Sequence, residues 1–297
     1  MSLPRSVRSA LRGLIDYAGL FPPAQESMDD AVRHYAAYRR AAHQWMLGRF
    51  VVPASRLDEF AAAVAAYLPD AHGEWHLSVL LGPEIEQDLA RIAALNAAHR
   101  GVVCDAVEVR AGSAGDIVTL ARHLRPSGLA AYVEIPVAED PAASVAALRV
   151  AGLRAKIRTG GVTVDAFPTA AMVARFLGHC VRAAVPCKAT AGLHHPLCGE
   201  YRLTYEAGSA HGSMFGFLNV VLAAAWLRDG ATDAQAVELL LERDPRAIVF
   251  SDTGVRWRDV TLLTPRLEQL RQSWFIAVGS CSFREPVAEL GFVEGWH

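Results

Sequence analysis

Short apolar runs recur along this chain and alternate with longer stretches whose apolar positions return every three or four residues. The runs predict strands covered on both faces, and the longer stretches predict amphipathic helices. In chain order, strands are predicted at 13–19, 45–52, 75–81, 105–110, 130–136, 154–158, 186–189 and 247–251. Helices are predicted at 27–42, 55–67, 83–99, 113–126, 140–152, 168–184, 213–228, 233–243 and 265–272. Their boundaries follow local chemistry. Ser27 with Asp30, Ser55 with Asp58 and Ser113 with Asp116 have the spacing of a helix-opening cap. Pro83, followed by Glu84 and Glu86, suits a first helical turn, and Gly128 and Gly152 suit helix ends. Residues 194–212 read as one long loop rich in Gly, His and Tyr, suited to a lid or to a cover over a rim.

Strands that alternate with helices imply parallel strands joined by helical crossovers. Eight such units over roughly 250 residues match a closed (β/α)8 barrel, here one domain over 1–297. The competing arrangement is an open doubly wound sheet. Its nucleotide-binding versions lose support, because no GxGxxG follows the first strand and no GxxxxGK[ST] occurs.

Composition narrows the function. A net charge of −2 and a pI near 6.6, with scattered basic residues, argue against a nucleic-acid or membrane-surface partner. No apolar stretch reaches membrane-spanning length, and Met1 to Leu20 lacks the apolar centre of a signal peptide. Cys104, Cys180, Cys187, Cys198 and Cys281 are odd in number and lack CxxC spacing, which reads as reduced thiols in a cytoplasm. The expected partner is a small molecule, and a homo-oligomer is compatible with this composition.

Of the 29 Lys and Arg residues, only Lys156 and Lys188 are lysine. Lysine differs from arginine in that its amine can lose a proton and attack a carbonyl carbon. Both lie in predicted strands, where a barrel of this kind places its chemistry at the carboxyl ends. The strands also offer Asp16, Arg49, Glu108, Arg110, Glu134, Arg158 and Asp252. Alternation puts Lys156 and Arg158 on one face. Crowded cations would lower a lysine pKa and favour imine formation.

Lys156-x-x-Thr159-Gly160 followed by Lys188-Ala189-x-Ala191-Gly192 resembles the class I aldolases of the deoxyribose-phosphate aldolase type, over residues 153–192. The resemblance implies a barrel lyase in which Lys156 forms the Schiff base and Lys188 tunes it. It also implies an acidic residue on an earlier strand for proton transfer, met here by Glu108 or Glu134. Arg158, the pair His194–His195, and Asp252 in place of a glycine-serine phosphate loop depart from the pattern.

The residues leave other chemistry open. Arg158, Arg49, Thr159, Gly160, Gly161, Asp16 and Asp252 are candidates for substrate binding, with Arg158 or Arg49 suited to a carboxylate and the glycines to a backbone anion nest. His194 or His195 could act as general acid or base. No cofactor motif is present. The metal alternative would use His194, His195, Cys198 or His211, which match no standard zinc spacing. Without an imine, the cationic cluster would serve a phosphoribosyltransferase-like barrel, a metal-dependent isomerase or hydrolase, or a non-catalytic anion-binding protein.

Overall fold

The first seven predicted strands all join one parallel sheet, which an eighth strand closes into a barrel. The computed structural model describes every residue except Met1, Glu294 and His297. The chain opens with α1 (Arg5–Leu11), β1 (Ile15–Tyr17), α2 (Met28–Tyr38), β2 (Leu47–Pro53), α3 (Leu57–Val64), β3 (Trp75–Leu80) and α4 (Ile85–Ala98). It continues through β4 (Val102–Arg110), α5 (Ala114–Leu124), β5 (Ala130–Glu134), α6 (Ala142–Ala151), β6 (Arg154–Arg158), α7 (Ala170–Ala183) and β7 (Cys187–Thr190). A hairpin of β8 (Gly199–Arg202) and β9 (His211–Met214) leads into α8 (Phe217–Arg228) and α9 (Asp233–Leu240). A meander of β10 (Ile248–Phe250), β11 (Gly254–Trp257) and β12 (Val260–Leu263) precedes α10 (Thr264–Ser273), β13 (Phe275–Ser280) and α11 (Arg284–Ala288). Around the barrel the order is β1-β2-β3-β4-β5-β6-β7-β13. This is a (β/α)8, or TIM, barrel.

Local chemistry sets the helix ends much as the spacing predicts. The Ser27 and Ser113 side chains accept from the backbone N–H groups of Asp30 and Asp116. Thr232 and Gln235 form a reciprocal capping box at α9. Gly152 ends α6 in the left-handed conformation, which glycine adopts without steric cost. Ser55 makes no cap, because a 3-10 turn over Ala54–Arg56 leads directly into α3.

Three expectations are corrected. The eighth barrel strand is β13, not 247–251. That segment is β10, an antiparallel strand with Val249 exposed between buried Ile248 and Phe250. Both segments are short apolar runs, and only burial on both faces separates a barrel strand from the half-covered strand of an accessory sheet. Residues 194–212 are not one open loop, since β8 and the first half of β9 fall within them. Helix α1, absent from the sequence reading, packs Val7, Ala10 and Leu11 into the core.

The buried apolar side chains form one connected cluster between strands and helices. Arg271 closes the amino-terminal end of the barrel. Its guanidinium donates to the carbonyls of Ala10, Arg12, Phe275 and Ile276, which joins the end of α1 to the start of β13. Burial lowers the pKa of this arginine to about 10, still well above neutrality. Replacing Arg271 with Gln is expected to leave several of these carbonyls unpaired and to cost about 3 kcal/mol in urea unfolding. The exposed control Arg266→Gln should stay within about 0.5 kcal/mol of the parent.

Candidate functional site

Strand alternation turns one side chain in two into the barrel, and the polar residues among these meet at its carboxyl-terminal half. Glu134 pairs in register with Lys156, and Lys156 with Lys188. Glu108 lies at the centre. Its Oε1 accepts from Lys188 Nζ at 2.8 Å and from Ser78 Oγ at 2.7 Å. Its Oε2 lies 2.7 Å from Lys156 Nζ. Lys188 Nζ also donates to Asp16 Oδ2 at 2.5 Å, and Asp16 Oδ1 accepts from the Arg49 backbone N–H at 2.8 Å. Lys156 Nζ lies 2.9 Å from Glu134 Oε2, but outside hydrogen-bonding angles. Glu134 Oε2 therefore has no hydrogen-bond donor among the described residues.

These pairings decide the charge states. Burial works against the Glu108 carboxylate, yet the two ammonium groups hold it well below the usual carboxylate range. Burial also works against the Lys188 ammonium, and Asp16 and Glu108 more than offset it, holding Lys188 above the ordinary lysine value. The Tyr132 ring, 5.3 Å from Lys188 Nζ, adds a cation–π contact. The expectation that crowded cations depress the lysines is thus corrected for Lys188. Its nearest charges are carboxylates, and opposite charges favour the charged form. Glu134 is destabilised as an anion by burial, but Lys156, Arg158 and Arg110 lower its pKa.

Above this network opens a cavity of about 480 Å³. Lys156, Lys188 and Glu108 line it from the barrel interior, and Phe21 and Pro22 from the loop after β1. Gly160 and Gly161 form another wall. A Cβ on Gly160 would come within 2.5 Å of the Phe167 ring, and one on Gly161 within 2.6 Å of Ala166, so the absence of side chains lets these loops close together. Arg158 stands at the rim, its Nε 3.5 Å from Glu134 Oε1. His194 is buried in the wall, with Nδ1 3.1 Å from Ser280 Oγ and 3.6 Å from Cys281 Sγ. Burial, with His195 adjacent, pushes the His194 pKa down to about 4, so the ring is neutral at pH 7.

Four predicted site residues lie elsewhere or are already occupied. His195 turns away from the cavity, stacking on Tyr201 with its Nδ1 2.8 Å from Glu289. Arg49 points into the amino-terminal half of the barrel, where it binds both oxygens of Asp105 at 2.6 and 2.9 Å. Asp252 follows β10 on the accessory meander, where it accepts from the Arg5 backbone N–H. The Thr159 hydroxyl donates to the Ala191 carbonyl at 2.7 Å, which ties the β6 and β7 loops together. The proposed metal ligands do not converge, and among the described residues no group of three or more His, Cys, Asp or Glu side chains could hold an ion. Asp16 belongs to the network beneath the cavity, where it holds Lys188.

The structure adds Ser78, Tyr132 and Cys281 to the site and keeps Arg110, which the sequence offered with Glu108. Ser78 carried a signal, as a polar residue within an apolar strand. Arg110 shares a face with Glu108 two positions earlier. Tyr132 and Cys281 look like ordinary core residues in the sequence. No protein-family model matches the chain, and no curated protein matches its sequence.

A buried histidine kept neutral makes stability pH-dependent. The unfolded chain protonates His194 near 6.5, the folded chain only near 4. This stability is complete above about pH 6.5 and is lost as pH falls towards 4. Urea unfolding should show a loss of about 2 kcal/mol from this residue between pH 7 and pH 5. His194→Gln should remove that part of the slope. An unchanged slope in the variant would show that His194 is already charged in the fold.

Proposed function

We propose that this protein is an enzyme, a lyase of class I aldolase type acting on a small anionic carbonyl compound, with Lys156 as the imine-forming residue. The observation that carries this reading is the unequal bonding of the two lysines that line the cavity. Lys188 donates hydrogen bonds to two carboxylates and lies over an aromatic face. Lys156 lies beside Glu108 and Glu134 without a hydrogen bond of normal angle to either. Glu134 Oε2 lies 2.9 Å from the Lys156 amine, has no other donor among the described residues, and is placed to take its proton.

The chemistry follows in balanced steps. Lys156 gives a proton to Glu134, and the free amine adds to the substrate carbonyl carbon. The carbonyl oxygen takes up protons and leaves as water, forming the iminium. A base removes the proton of the β-hydroxyl, the adjacent carbon–carbon bond breaks, and its electron pair moves into the iminium to give an enamine. Protonation of the enamine carbon and addition of water release the second product and restore the amine. Lys188 stays cationic throughout. Arg158 at the rim would hold the substrate anion.

A second reading has no imine, and the ion pairing of both lysines favours it. In that case the cluster only binds an anion, in a transferase-like barrel or a binding protein. Among the described residues no helix is long and apolar enough to cross a membrane. All five cysteines are free and buried, which supports the reducing conditions of a cytoplasm.

Borohydride reduction in the presence of small aldehydes, ketones and 2-oxo acids tests the imine. Peptide mass mapping should find the reduced adduct on Lys156, and Lys156→Arg should abolish it. For a substrate found this way, Arg158→Gln should raise KM by about tenfold with a smaller effect on kcat. If no carbonyl compound is trapped while anions still bind, the aldolase reading falls and the anion-binding one stands.

A further inference from the structure

Beside the first cavity lies a second, of about 670 Å³, between the loops that follow β4, β5 and β6. The two share Arg110, Arg158 and Ala166 as a common wall. The second is bounded chiefly by Ile135, Pro136, Val137, Phe167, Pro168 and Met172. These walls are fixed. Phe167 packs against Gly160 and Gly192. Arg175 donates to the carbonyls of Val137 and Glu139 at 2.9 and 2.8 Å, which anchors the loop after β5.

Charged side chains meet at the shared wall. Lys156, Lys188, Arg110 and Arg158 are four cations, and Asp16, Glu108 and Glu134 are the three carboxylates that meet them. Arg110 and Arg158 divide one carboxylate oxygen, with Nε atoms 3.1 and 3.5 Å from Glu134 Oε1. The waist between the two cavities thus carries two arginines on one shared carboxylate oxygen, while Asp165 also lines the outer cavity and Ile135, Val137, Phe167 and Met172 give it apolar walls.

We infer that the site takes a two-part ligand: an anionic group seated on Arg110 and Arg158 at the waist, and an apolar substituent extending into the outer cavity. The carbonyl end would then enter the inner chamber. The substrate class is an acidic carbonyl compound, a carboxylate or a phosphate, that carries an aliphatic or aromatic arm. This inference rests on the anionic ligand of the proposed function but not on imine formation.

Linear alkyl carboxylates and alkyl phosphates test it, because they have an anion and a tail but no carbonyl to condense. Calorimetric titration of the full chain should show affinity rising roughly threefold per methylene from propanoate to hexanoate. Hexanol should bind at least about tenfold more weakly than hexanoate, and Arg110→Gln with Arg158→Gln should erase that difference. Val137→Thr and Met172→Gln, on two separate elements, should each flatten the dependence on chain length while propanoate binding is retained. A preference for hexyl phosphate over hexanoate, or the reverse, supports the proposal and assigns the anion. Affinity independent of chain length, or hexanol binding as tightly as hexanoate, overturns it. Borohydride trapping separates the two claims. A trapped adduct with no length dependence refutes only the outer cavity, and length dependence with no adduct refutes only the imine.

Discussion

Glu108 holds one ammonium group on each carboxylate oxygen, and the contacts that spread from it tie most of the barrel together. Through Lys188 it reaches Asp16 on β1, through Lys156 it reaches Glu134 on β5, and Ser78 on β3 braces it from the side. Six of the eight barrel strands contribute a member. Each of these ions costs several kcal/mol to remove from water, and only complete pairing offsets that cost. The network is therefore conditional, since loss of one partner leaves another charge buried and uncompensated. It also holds Lys156 and Glu134 in fixed relation at the cavity, as pre-organised chemistry requires.

The two ends of the barrel use polar groups for opposite purposes. At the amino-terminal end two arginines are satisfied within the protein: Arg271 on four carbonyls, Arg49 on Asp105. At the carboxyl-terminal end the groups are left short of partners. Glu134 Oε2 lacks a hydrogen-bond donor among the described residues, and two arginines share the oxygen beside it. Glycines in the β6 and β7 loops and the Thr159 clamp keep that end open yet well defined.

The division of labour between arginine and lysine follows from shape. A guanidinium presents donors in a planar fork, so Arg271 can reach several carbonyls at once. An ammonium is a compact point charge, suited to a position between carboxylates contributed by different strands. Lys156 and Lys188 occupy two such positions, and the other 27 cations of the chain are arginines.

Periodicity alone determined the barrel class, seven of its eight strands and the face shared by Lys156 and Arg158, because those properties are local: a strand alternates, a helix returns every few residues, and a cap needs a residue three places away. The rarity of lysine pointed to the two residues at the centre, and Glu108, Glu134 and Asp16 were legible as inward acids. The closing strand was not legible, because β10 and β13 are equally apolar runs that differ only in what covers them. Nor was the fate of adjacent residues such as His194 and His195, since a loop sends one ring into the wall and the other onto Tyr201. Above all, the charge state at the centre belonged to the tertiary structure. A lysine read along its own strand has Arg158 as its neighbour. In the closed barrel its nearest charges come from strands distant in the chain, and they are carboxylates. Coulomb interactions fall with distance in space, not separation in sequence, so only the folded molecule decides which charges meet.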